Sequence, residues 1–102
     1  MYLVQILLPV YNNVSEEFSS SYFSVVRKEL ADKFGGITTY TRSPAIGLWK
    51  ENDNKIVRDE IVIFELMVQE VDYEWWRGYK SKLEDLFEQE SIMVRSWPVT
   101  LV

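Results

Sequence analysis

The side chains able to do chemistry are few, and their types narrow the choice at once. The chain of 102 residues contains no histidine and no cysteine. An imidazole base, a thiolate nucleophile, a disulfide and a Cys/His zinc site are therefore excluded. Carboxylates, Lys, Arg, Tyr, Ser and backbone groups remain. Gln5, Glu65 and Arg95 each interrupt a run that is otherwise mostly apolar. If Glu65 and Arg95 sit on neighbouring strands, they pair across a sheet. Such a pair has two uses. It is a polar knot that fixes the register of an interface, or it orients a substrate, with Glu65 as acid or base.

A second candidate is the stretch from Arg42 to Trp49. Pro44 and Gly47 shape its backbone, and Arg42 and Trp49 could flank a small anion or a flat ligand. The plainer reading is a bent hairpin arm whose Trp49 packs on its own domain or on a twin. The candidate polar cluster, for ligand or interface, is therefore Gln5, Glu65, Arg95, Arg42 and Trp49. No catalytic residue, metal ligand or cofactor site is assigned. The chain has no phosphate-cradling Gly-rich loop and no nucleophile elbow, and Asn52, Asp53 and Asn54 lack the spacing of a calcium loop. Tyr11, Asn12 and Asn13 read as an Asx-rich turn.

The elements that must hold these residues follow from periodicity. Residues 2–8 read as a central strand, closed by Pro9. Ser19, Ser20 and Ser21 offer cap oxygens for a helix over 20–34, and Gly35 and Gly36 supply its stop. Residues 37–42 and 45–50 form a strand interrupted at Ser43 and Pro44. A turn at 52–54 leads into a return strand over 55–69, with a bulge expected near 58–60. Asp72 caps a second helix running to about residue 89. Residues 91–102 form the last strand, broken by Pro98, which suits a sheet edge or a swapped tail.

One helical stripe occurs twice. Tyr22, Phe23, Val26, Leu30 and Phe34 are matched in spacing by Trp75, Trp76, Tyr79, Leu83 and Phe87. The adjacent Trp75 and Trp76 thus belong to a core stripe rather than to a base-stacking surface. Each stripe lies between strands, so the order is β-α-β-β-α-β. Two such halves form a split βαβ domain: α+β, two helices on one face of an antiparallel sheet, with a long bent central hairpin. Residues 1–102 read as a single domain.

Strand periodicity of two then sorts the faces. Val62, Phe64, Leu66 and Val68, with Val4, Ile6 and Leu8, should meet the helices. The opposite face carries Leu3, Leu7, Ile61, Ile63, Met67, Met93 and Trp97 around Gln5, Glu65 and Arg95. A face so rich in large apolar side chains is expected to be covered. The simplest cover is a second copy related by a two-fold axis, a homodimer through the sheet face.

This patterning resembles the ferredoxin-like, dimeric α+β barrel group of small bacterial proteins, in which two sheets pack face to face. Residues 34–38 and 47–49 also look like uncharacterised small ferredoxin-like bacterial proteins. The group includes cofactor-independent monooxygenases of quinone-like substrates and small-molecule isomerases. Its enzymes often rely on His, which this chain lacks, and no catalytic residue is carried over.

Charge and composition set the remaining expectations. A net charge of −5 disfavours nucleic-acid binding. No apolar run approaches the ~20 residues of a membrane span, and residues 1–5 lack the features of a signal peptide. A cytoplasmic location is expected. The sequence thus points to an uncharacterised, self-associating ferredoxin-like domain with a binding or structural role. The alternatives are a cofactor-independent enzyme or binder of a small organic ligand, and a protein-interaction module using the hairpin or an edge strand.

Overall fold

Tyr2–Pro9 forms β1, and its alternate residues Val4, Ile6 and Leu8 are buried against the helix layer. A computed structural model describes residues 1–52 and 55–102, with side chains described outside 40–59. The chain continues through α1 (Ser20–Phe34), β2 (Thr38–Asn52), β3 (Lys55–Val68), α2 (Tyr73–Leu86) and β4 (Val94–Pro98). The sheet has four strands in the order β2-β3-β1-β4, each antiparallel to its neighbour. This is the ferredoxin-like α+β arrangement the patterning predicts. Pro98 ends β4 at the sheet edge, and Val99 N–H is held by the Met1 carbonyl at 3.0 Å.

Helix α1 has the predicted bounds. Gly35 stops it by taking φ 83°, a conformation that costs glycine nothing, and its N–H closes on the Ala31 carbonyl at 2.8 Å. The start differs from expectation. Ser19 is the N-cap residue, but its hydroxyl engages Ser21 Oγ at 2.7 Å and makes no cap hydrogen bond. Helix α2 starts as expected, with Asp72 Oδ1 accepting from Trp75 N–H at 3.2 Å. It ends at Leu86, short of residue 89, because Glu88 enters the left-handed region (φ 52°) and Gln89 N–H folds back onto the Glu84 carbonyl.

Both repeated stripes point into one core. Val26, Leu30, Trp76, Tyr79, Leu83 and Phe87 are buried with Val62, Phe64, Leu66 and Val68 of β3. Phe34 stacks on Trp76 (centroids 5.5 Å, planes 9° apart), and Trp75 stacks on Tyr79 at 4.9 Å. Lys33 Nζ lies 4.6 Å from the Trp75 ring centroid. Each large side chain removed from water contributes about 1.5–3 kcal/mol, so the two stripes are what fasten the helices to the sheet. Glu29 of α1 also pairs with Lys82 of α2. Beside that pair, burial and the Glu29 carboxylate push the Tyr79 phenol well above its ordinary value.

The hairpin is long, and its irregularity falls at the interruption expected at Ser43 and Pro44, not at the bulge expected near residues 58–60. Residues 58–60 pair continuously with Ile46, Gly47 and Leu48. The register instead shifts between Tyr40, opposite Ile63, and Ala45, opposite Ile61, so that residues 41–44 stand where β3 has only Val62. Pro44 lies in this shift, and proline cannot donate to a ladder. The expected turn at Asn52, Asp53 and Asn54 falls partly on residues outside the described ones. The last strand is also shorter than residues 91–102. Ile92 leaves the ladder because its N–H is taken by Glu84 Oε2 at 2.9 Å.

Candidate functional site

Strand register brings three of the five candidate residues into one line. Gln5 of β1 stands opposite Glu65 on one side and opposite Arg95 on the other. Glu65 and Arg95 are therefore not on neighbouring strands, and the direct pair is replaced by a bridged one. Gln5 Nε2 donates to Glu65 Oε1 at 2.7 Å, and Arg95 Nε donates to Gln5 Oε1 at 2.7 Å. The amide is oriented so that its oxygen meets the cation and its nitrogen meets the carboxylate. Hydrogen bonds to charged groups are the stronger kind, so the two ends hold the amide in this orientation. Gln5 is itself 7% exposed although it belongs to the outer face.

The line is flanked by apolar rows. Leu3 stands opposite Met67 and Trp97. Leu7 stands opposite Ile63, and its N–H donates to the Met93 carbonyl at 3.1 Å just before β4 begins. Leu3, Leu7, Ile61 and Ile63 are half-buried, while Met67 (45%), Met93 (53%) and Trp97 (39%) are exposed. Arg95 bends over this surface, its guanidinium carbon 6.0 Å from the Trp97 ring centroid and its Nη1 3.9 Å from Met93 Sδ. The assignment of the two faces therefore stands: the buried side chains of α1 and α2 pack with Val4, Ile6, Leu8, Val62, Phe64, Leu66 and Val68 on the other side of the sheet.

The line reaches further than the sequence suggests. Thr38 of β2 stands opposite Glu65, so the row reads Thr38, Glu65, Gln5, Arg95 across all four strands. A groove of about 440 Å³ runs beside its β2 end, lined among others by Phe34, Gly36, Thr38, Glu65 and Met67. Thr38 has no signature of its own. Counting register back from the hairpin turn would misplace it, because four residues of β2 stand opposite one of β3. The other two candidates, Arg42 and Trp49, lie on β2, and their side chains are outside the described residues. Among the described residues no cluster of His, Cys, Asp or Glu is placed to hold a metal ion, and no helix is long and apolar enough to cross a membrane.

Two further polar positions support the frame. Lys80 pairs with Glu84, and the Ile92 N–H joins them. The Lys80 bond, then that of Ile92, holds the Glu84 carboxyl below its ordinary value. Their effect is to pin the segment entering β4, and with it Arg95, to α2. At the start of α1, Asn12 Oδ1 accepts from Val14 N–H and Glu16 N–H at 3.0 and 2.9 Å, the Asx turn expected there.

No family model matches the chain, and no curated protein matches it. Solved structures do. The chain is similar to a phage SAM lyase in complex with S-methyl-5′-thioadenosine, with a TM-score of 0.65 at 11% identity over 94% of this chain and 79% of that one. It is similar to CutA1 from Pyrococcus horikoshii OT3, with a TM-score of 0.62 at 16% identity over 100% of this chain and 86% of that one. It is also similar to the PII-like protein CutA from Nostoc sp. PCC 7120, at 0.56 and 12% over 97% and 81%. At these identities the likeness is one of fold, and the fold hosts unrelated activities.

Proposed function

We infer that the chain works as a self-associating ferredoxin-like domain whose outer sheet face is closed by a second copy, in a binding or structural role in the cytoplasm. The observation that carries this reading is the surface formed by Leu3, Leu7, Ile61, Ile63, Met67, Met93 and Trp97, on the side of the sheet opposite both helices. Apolar area of this kind is stabilised by removal from water. Two sheets pack face to face about 10 Å apart when each supplies such a surface, as in the dimeric α+β barrel group. Light scattering over a micromolar concentration series tests it. A mass of two chains or more is expected, and a one-chain mass throughout removes the reading.

A second reading is favoured by the groove beside Glu65 and by one neighbour of the same fold described with a bound S-methyl-5′-thioadenosine. In it, the Glu65 end of the polar line positions a small organic ligand. Calorimetric titration with that nucleoside separates the two readings. Saturable heat that is lost in a Glu65→Gln variant favours the ligand, and an absence of heat removes this compound as its occupant.

A further inference from the structure

The polar line is asymmetric in a way that selects how two copies would meet. Its three hydrogen-bonded side chains run from an anion on β3, Glu65, through the neutral Gln5 on β1 to a cation on β4, Arg95, with the neutral Thr38 beyond Glu65 on β2. Two sheets packed face to face by a two-fold must have the axis lying in the contact plane. If the axis runs across the strands, along the line, every residue of the line meets itself, so Glu65 faces Glu65 and Arg95 faces Arg95. Two like-charge contacts then sit among apolar side chains, where they are poorly screened. If the axis runs along β1, the ends exchange, and each Glu65 meets the second copy's Arg95.

We propose that the chain dimerises about a two-fold axis parallel to β1 through Gln5, crossing the Glu65 and Arg95 ends of the two polar lines. The proposal rests on the self-association reading above. The apolar rows agree with it. Exchange about this axis sets Met67 against the second copy's Trp97 and Ile63 against the second copy's Met93. Each pair joins the β3 side of one copy to the β4 side of the other, as the register dictates. A polarisable thioether against an aromatic ring is a favourable contact. Leu3, Gln5 and Leu7 lie on the axis and meet their own counterparts. Strand directions in the two sheets stay aligned, one of the two common modes of sheet packing. Charge at the two ends fixes the register, while the apolar rows supply the stabilisation.

The absence of cysteine makes the geometry testable, since any introduced thiol is the only one in its chain. Five variants, Leu3→Cys, Leu7→Cys, Ile63→Cys, Met67→Cys and Trp97→Cys, are treated with a bis-maleimide of ~10 Å span, matched to the separation of facing sheets. Mixtures are refolded together so that subunits exchange. The axis along β1 gives a covalent dimer for Leu7→Cys by itself. Met67→Cys and Trp97→Cys give none separately and give one when mixed. The pattern that overturns the proposal is cross-linking of Met67→Cys only with Ile63→Cys, and of Leu7→Cys only with Leu3→Cys, in protein that sediments as a dimer. The axis then lies across the strands, and self-association survives. Absence of all cross-links in protein that sediments as a single chain overturns the self-association reading itself.

Discussion

The two faces of this sheet are built from alternate residues of the same strands, yet they have different fates. On β3, Val62, Phe64, Leu66 and Val68 are buried beneath the helices, while Ile61, Ile63, Glu65 and Met67 between them remain half-buried or exposed. Both sets are largely apolar. What separates them is the helix layer, whose two matched stripes reach only one side. An alternating pattern usually encodes inside and outside by polarity. Among the described residues of the outer face, polarity marks one line, through Gln5, Glu65 and Arg95. The lesson is that apolar character shows which surfaces need cover, and the element supplying the cover must be sought separately.

Adjacent residues on opposite faces offer the sharpest contrast. Phe64 is 0% exposed, at the centre of the core and in edge contact with Phe23. Replacing it by alanine is expected to cost about 3–5 kcal/mol in urea unfolding of the isolated chain. Ile63→Ala, one position along, is expected to cost less than about 1.5 kcal/mol under dilute conditions, since no helix covers it. Equal losses at the two positions would break the distinction between the faces. Gln5→Leu comes next. It removes the bridge and leaves the Glu65 and Arg95 ends without their shared partner, a loss of about 1–3 kcal/mol by the same measurement. No measurable change would show that the line contributes nothing to the fold.

Smaller effects belong to the helix layer. Asp72→Ala deletes the hydrogen bond to Trp75 N–H at the start of α2, with an expected loss of about 0.5–2 kcal/mol and no change in assembly. The smallest effect is a pH dependence. Lys80 and the Ile92 N–H hold the Glu84 carboxyl below its ordinary value of 4.5. A carboxyl lowered by folding stabilises fully above that ordinary value, and its contribution disappears as pH falls through the lowered one. Thermal melts of wild type should therefore drop more steeply below about pH 4.5 than melts of Glu84→Gln. Parallel curves would remove Glu84 as the link between α2 and the segment entering β4.

Much of this fold is legible in the residues themselves. The repeated stripes gave both helices their partners, Gly35 marked the end of α1, and Asp72 marked the start of α2. The features that were not legible are those set by competition for hydrogen-bond partners, both between neighbours and across the fold. Ser19 bonds a neighbouring hydroxyl instead of capping, and Ile92 leaves β4 because a carboxylate on α2 takes its N–H. The site divides in the same way. The polar interruptions at Gln5, Glu65 and Arg95 stand out in any reading by period. Their order across the sheet does not, because strand order is decided by how the two βαβ halves interleave. That interleaving puts β1 between β3 and β4 and makes Gln5 the bridge rather than a bystander.

The central claim, that the outer face is a surface awaiting a second copy, is tested most directly at Ile63. Sedimentation equilibrium of wild type and Ile63→Lys at equal micromolar concentration, with urea unfolding of each as a control for folding, isolates that face. The account predicts an assembled wild type and a folded single-chain variant. A variant that is folded and assembled like wild type, or a wild type that sediments as one chain, would contradict it.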